Sequence, residues 1–205
     1  MQFVDFSSKY GLGYKLSNGS YGVLFNDSTK IITHPNMFHF DYIDRNRSCQ
    51  ASADEKICKY DFFDYPEAIN KKVVLLQHFK SYLDGNQKFK PLEFAFTKEN
   101  APAREDQGVQ VPYIKKWKRA RKAILLRNSN KMIQVLFQDQ SELILCSGSG
   151  VVTFVNAKKE IKTVSVNNSS LEFDDPSLYK RLQYAKEVLV QMMSGNTAVT
   201  AASTF

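Results

Sequence analysis

The sequence predicts an α+β protein of two similar units, each a six-stranded antiparallel sheet with a C-terminal helix, packed together. Three observations carry this. Val23-Leu24-Phe25-Asn26-Asp27-Ser28-Thr29-Lys30-Ile31-Ile32 returns as Val135-Leu136-Phe137-Gln138-Asp139-Gln140-Ser141-Glu142-Leu143-Ile144, with five of ten positions identical. The same shift of 112 lays Tyr42-Ile43-Asp44 on Phe154-Val155-Asn156, and two matches at one offset argue duplication. Short β-type segments also recur about every 8–12 residues, and each series ends in a helical stripe, the pattern of a meander closed by a helix.

In the first copy, strands are predicted over Tyr10 to Leu16, Tyr21 to Phe25, Lys30 to Thr33 and Phe38 to Ile43. Turn chemistry separates them: Ser17-Asn18-Gly19-Ser20, Asn26-Asp27-Ser28 and His34-Pro35-Asn36. Residues 49–53 and 58–63 supply two more. Pro66 then opens a helix with Ile69, Val73, Leu76, Phe79 and Leu83 at helical spacing, stopped by Gly85. The second copy repeats the plan, with segments near 113–119, 122–127, 131–137, 142–146, 151–156 and 161–165. Asp175 as N-cap and Pro176 in the first turn begin its helix, striped by Leu178, Leu182, Ala185, Leu189 and Met192. The chain divides into an opening linker 1–9, a first unit 10–85, a connector 86–112, a second unit 113–194 and a disordered small polar tail 195–205.

At 43% apolar and 13% aromatic residues the chain is not disordered, and no apolar run is long enough to span a membrane. The start, Met1-Gln2-Phe3-Val4-Asp5, has no secretory signal pattern. Cys49, Cys58 and Cys146 are odd in number without CxxC spacing, which fits reduced thiols in an intracellular protein; Cys58 and Cys146 read as small core residues. Asn46-Arg47-Ser48 and Asn168-Ser169-Ser170 match the glycosylation pattern by coincidence on this reading.

No catalytic set emerges. Tyr10-Gly11-Leu12-Gly13-Tyr14 lacks the third glycine of a dinucleotide loop, and its glycines read as a strand approached closely by another backbone. His34, His39 and His78 are dispersed, so neither a metal nor any other cofactor is expected. The chain reads as a binding module. Net charge is +7, and six of the eight residues Lys115 to Lys122 are basic. That run suits an anionic partner (phosphopeptide, acidic peptide or nucleic acid) or is simply a solvated strand face.

Phe3-Val4-Asp5-Phe6-Ser7-Ser8-Lys9-Tyr10-Gly11-Leu12-Gly13-Tyr14 resembles W-V-D-Y-S-x-K-Y-G-L-G-Y, the opening segment of the polo-box domain of polo-like kinases. Gly22-Val23-Leu24-Phe25-Asn26-Asp27-Ser28-Thr29 is similar to the family's G-V-L-F-N-D-S-T. In the second copy Pro112-Tyr113-Ile114, Trp117, Arg119, Arg121 and Phe137-Gln138-Asp139 match in order. The resemblance covers residues 3–193.

It implies two polo boxes holding a peptide in a cleft between them, C-terminal to a kinase domain. The peptide-cleft residues it implies are Phe3, Val4, Asp5, Arg119, Val135 and Phe137, with Phe3 standing where the family has Trp. The family holds phosphate with a His and a Lys; those positions are Gln140 and Glu142 here, which implies phosphate dependence lost or altered. Lys118, Lys88 and Lys90 are substitute cations. A hydrophobic groove on the first box maps to Phe6, Tyr10, Leu75, His78, Phe79 and Tyr82, although core packing is the simpler reading of Leu75 and Phe79.

The implied partners are protein peptides, phosphorylated or not, and the protein's own kinase domain. The implied location is intracellular, in cytoplasm, nucleus or centrosome and basal body. Two other functions compete: a self-associating (homodimeric) or autoinhibitory module, and a nucleic-acid binder stacking bases on Trp117. The third is disfavoured, because the basic run alternates around sheet-facing residues. No membrane partner is expected.

Overall fold

The computed structural model describes residues 1–44, 55–86, 89, 110–146, 148–166 and 171–193. Residues 49–53, Cys49, Lys88, Lys90, most of the connector and the tail lie outside the described residues. The chain forms two compact units, Met1–Tyr113 and Ile114–Phe205.

The first unit is one six-stranded meander: β1 (Gln2–Phe6), β2 (Gly11–Lys15), β3 (Tyr21–Phe25), β4 (Lys30–Thr33), β5 (His39–Ile43) and β6 (Ile57–Asp61), in sequential order. The opening segment, expected as a linker, is thus the first strand, running antiparallel to β2 from Gln2↔Lys15 to Phe6↔Gly11. A turn that the linker reading overlooked closes this hairpin. The N–H groups of Lys9 and Tyr10 both donate to the Phe6 carbonyl, at 3.0 and 2.8 Å. The Asn26 amide donates to the Ser7 carbonyl at 2.8 Å.

A single 3₁₀ turn (Glu67–Ile69) after Pro66 leads into α1 (Asn70–Leu83). Its stripe of Val73, Leu76 and Phe79 packs on Val23, Ile31 and Phe40 to form the core. Gly85, at φ 76°, ends the helix as predicted: its N–H donates to Tyr82 and that of Asn86 to Ser81, the paired bonds of a Schellman motif. Asp84, just before it, pins the helix end to the sheet. Its carboxylate meets the Lys15 ammonium at 3.0 Å and that of Lys80 at 2.7 Å, and accepts from the Tyr21 hydroxyl.

Gly11 and Gly13 answer to different neighbours. A Cβ on Gly11, at φ 150°, would lie 2.2 Å from the Leu24 carbonyl oxygen, the backbone approach expected. A Cβ on Gly13 would lie 2.2 Å from the Phe79 ring, so here the glycine makes room for a helix side chain.

The second unit repeats the plan: β7 (Ile114–Arg119), β8 (Ala123–Asn128), β9 (Met132–Phe137), β10 (Glu142–Cys146), β11 (Val151–Val155) and β12 (Ile161–Ser165), again in sequential order. Shifting β2 and β5 by 112 lands on the first five residues of β8 and on β11. A short helix α2 (Leu171–Asp174) precedes α3 (Pro176–Met193). Asp175 caps α3 as predicted, accepting the Leu178 N–H at 3.0 Å, and pairs with Lys162 at 2.7 Å. Leu178, Ala185 and Val188 pack on Leu125, Val135, Leu143 and Val152.

Cys146 is exposed at the end of β10 and Cys58 is half-buried, which corrects the expectation that both are core residues. Apolar neighbours in sequence had suggested burial, but Cys146 borders the following turn. His34 and His39 are less dispersed than the sequence implied, with ring centroids 6.1 Å apart. His34 pairs with Asp41 at 3.3 Å and His39 with Asn36 at 3.1 Å. Among the described residues no group of three or more His, Cys, Asp or Glu is placed to hold a metal ion.

Candidate functional site

In the first unit, β1 stands at the end of the strand order, so among the described residues β2 is its only strand partner. A strand in that position can pair its outer edge with an incoming peptide. Phe3, Val4 and Asp5 sit mid-strand and are half-buried. Asp5 accepts the Ser7 N–H at 2.9 Å, which fixes the strand's exit.

The predicted groove residues divide by exposure. Phe6 lies 5.8 Å from Phe79 and 5.4 Å, edge-on, from Tyr82 (ring centroids). Phe79 is 4% exposed and belongs to the core, whereas Phe6, Tyr10 and Tyr82 are 38%, 46% and 57% exposed. Leu75 is half-buried against the core. His78 stacks on Phe89, a partner the sequence reading missed, with centroids 4.0 Å apart.

In the second unit, the β9–β10 turn is the twin of the β3–β4 turn. Gln140 has φ 67° and its counterpart Ser28 has φ 70°. Each turn is locked by an aspartate that a helix cation holds. Asp27 accepts from the Thr29 N–H and hydroxyl and meets Lys72 at 2.6 Å; the Lys72 ammonium lies 5.2 Å from the Phe25 ring centroid. Asp139 accepts from the Ser141 N–H and hydroxyl and meets Arg181 at 2.6 Å; that guanidinium lies 4.9 Å from the Phe137 centroid. The Ser141 hydroxyl, joined by Arg181, holds the Asp139 carboxyl at about 2, outweighing burial, which acts upward.

For Asp84, burial acts upward but is outweighed by Lys80, Tyr21 and Lys15, again giving about 2. A carboxyl held below its unfolded value of about 3.9 stabilises the fold fully above that pH and loses the contribution as pH falls through the folded value. The urea midpoint should therefore drop between pH of about 4 and about 2. In Asp84→Asn the drop should be shallower; an unchanged slope would contradict the assignment.

Gln140 is exposed, and the half-buried Glu142 accepts a hydrogen bond from the Gln134 side-chain amide. Neither position offers a cation. In the first copy the counterpart of Glu142 is Lys30, which is 4% exposed and paired with Glu55 at 2.6 Å. Glu55 also accepts from the Tyr113 hydroxyl at 2.6 Å, and burial, then Glu55, push that phenol well above its usual range.

Of the remaining predicted residues, Arg119 is exposed at the end of β7, and Lys118 donates to Gln191 at 3.2 Å. Phe137 is half-buried beneath Arg181. Val135 is 1% exposed in the core, because its turn of the strand alternation faces α3; its expected place on a binding surface is corrected. Trp117 is half-buried rather than presented as a platform.

The chain is built of two copies of one sheet-and-helix unit, and the first copy carries a strand edge and exposed rings. The profile of the polo box duplicated region matches residues 8–73 and 120–182, more than half of the chain. The chain belongs to the polo-box family, whose domains are peptide-binding modules of polo-like kinases.

Among its relatives, the probable serine/threonine-protein kinase CCRP1 of Zea mays is 41% identical over 165 residues, 80% of this chain and 24% of that protein. The serine/threonine-protein kinase PLK1 of Xenopus laevis is 31% identical over 199 residues, 97% of this chain and 31% of that protein. The chain thus spans less than a third of these relatives' length. The budding yeast Cdc5 polo-box domain in complex with a Spc72 phosphopeptide shares the fold, with TM-score 0.70 and 22% identity over 98% of this chain and 72% of that one. The same domain in complex with the Dbf4 polo-interacting region has TM-score 0.70 and 20% identity, over 98% and 74%.

Proposed function

We propose that this chain is the targeting and regulatory module of a polo-like serine/threonine kinase. It binds a partner peptide through β1 of the first box and residues of the second, with phosphate dependence lost or altered. The observation that carries the reading is the pair Gln140 and Glu142, where the family's phosphate-holding His and Lys would stand. Glu142 has an amide, not a cation, at its carboxylate. At 4 Å and an effective dielectric of 20, each unit-charge pair between a carboxylate and a phosphate dianion costs roughly 4 kcal/mol before screening.

Phe3, Val4 and Asp5 supply the docking strand, Arg119 a flanking charge, and Phe6, Tyr10, His78 and Tyr82 an aromatic groove. The kinase domain of the full-length protein is a second, intramolecular partner, and location follows the peptide partner inside the cell.

A peptide array with matched phosphorylated and unphosphorylated peptides identifies ligands, and Phe3→Ala tests the strand. Loss of this ring should weaken the best peptide by about 1–3 kcal/mol, as for an interface anchor, with little effect on folding. Unchanged affinity in a folded variant would contradict a site at β1.

A further inference from the structure

The second unit carries an open groove of about 460 Å³ lined by one end of the β8–β9 pair, where the start of β8 lies beside the end of β9, and by the first turns of α3. Phe137 and Tyr184 form its apolar floor, with ring centroids 6.3 Å apart. Lys122, Lys180 and Arg181 contribute three positive charges and Asp139 one negative, a local net of +2.

These cations are not equivalent. Arg181 is already engaged: its two terminal nitrogens donate to Asp139 and to the Ser141 hydroxyl. Its planar fork, the group best suited to a phosphate, is therefore turned to the turn aspartate. Lys122 lies 5.9 Å from the Tyr184 ring centroid, and Lys180 projects from α3 on the same groove. The Tyr184 hydroxyl accepts the Lys122 backbone N–H at 3.0 Å, which leaves its own proton to donate elsewhere. Two point-charge ammonium groups beside a ring floor match separate carboxylates flanking an apolar side chain better than they match one dianion.

We propose that this groove docks an unphosphorylated acidic segment of a protein partner. Carboxylates pair with Lys122 and Lys180, and an apolar side chain between them lies on Phe137 and Tyr184. All the lining residues belong to the second unit; Phe137 is shared with the residues that the resemblance implies for the peptide cleft, whereas Lys122, Lys180 and Tyr184 are not.

The test titrates the full chain with a short peptide that carries glutamates on either side of a phenylalanine, followed by amide NMR shifts and calorimetry. Shifts should centre on Lys122, Ser177, Lys180, Arg181 and Tyr184. Replacing the glutamates by glutamine should weaken binding about tenfold, and so should Lys122→Glu with Lys180→Glu, with the effect shrinking at high salt. Lys158→Glu with Lys159→Glu, an equal charge change in the exposed β11–β12 turn, should leave binding unaltered. Equal binding of the glutamine peptide, shifts mapping elsewhere, or a loss that the control pair matches would overturn the proposal. So would a version with phosphoserines in place of the glutamates binding about tenfold tighter, since the groove would then be a phosphate site.

Discussion

Gly13→Ala should destabilise the first unit by about 2–3 kcal/mol, at the upper end of what overpacking a core costs. The added methyl would fall 2.2 Å from one Phe79 ring carbon and 2.8 Å from another. That ring is 4% exposed and wedged between β2 and the rest of the α1 stripe, so it has little room to retreat. The strand must shift or the helix must lift. Phe79→Leu alone should also destabilise, but combined with Gly13→Ala it should recover part of the loss, because the two changes share one space. Urea unfolding of the four proteins checks this; strictly additive losses would show that the glycine serves backbone freedom instead.

Converting the substituted pair, Gln140→His with Glu142→Lys, should create a preference for phosphopeptides. Charge-assisted bonds to phosphate contribute about 1.5–3 kcal/mol each before desolvation, and the change also removes a repulsive carboxylate. The net gain should be about tenfold to a hundredfold in affinity, or 1.4–2.8 kcal/mol, and smaller at high salt. The backbone tolerates the change. Residue 140 sits at φ 67°, a conformation that His adopts more readily than most residues. The lysine at 142 gives up the Gln134 hydrogen bond, a part-buried contact whose loss should trim stability rather than abolish folding. No phosphate preference in the folded double variant would show that these positions do not face the ligand.

The duplication was legible because hairpins repeat their chemistry. Asp27 and Asp139 recur with their Phe and Thr or Ser neighbours at one offset, and both turns fold alike. The partners of those aspartates were not legible. The helices align at a shift of 106 rather than 112, through Leu76-Gln77-His78 and Leu182-Gln183-Tyr184. By that shift the counterpart of Lys72 is Leu178, and the cation is recovered one turn away at Arg181. Each aspartate is held by a helix cation, but from a different position on its helix, which linear spacing does not reveal. Likewise, β1 was hidden because its closing turn, Ser7 to Tyr10, is built by backbone bonds and by Asn26 from another hairpin. Val135 resembled a site residue by alignment, but only the sheet shows which face of β9 meets α3. The groove of Lys122, Lys180 and Tyr184 joins residues from two distant stretches, and only the second copy's fold brings them together.

The measurement closest to the central claim is calorimetric titration of the unaltered chain with matched peptides differing only in one phosphate. Phosphorylation should leave affinity within about threefold or weaken it, since Gln140 and Glu142 offer no cation to hold the group. Phosphorylated peptides binding at least about tenfold tighter than their unmodified forms would contradict it.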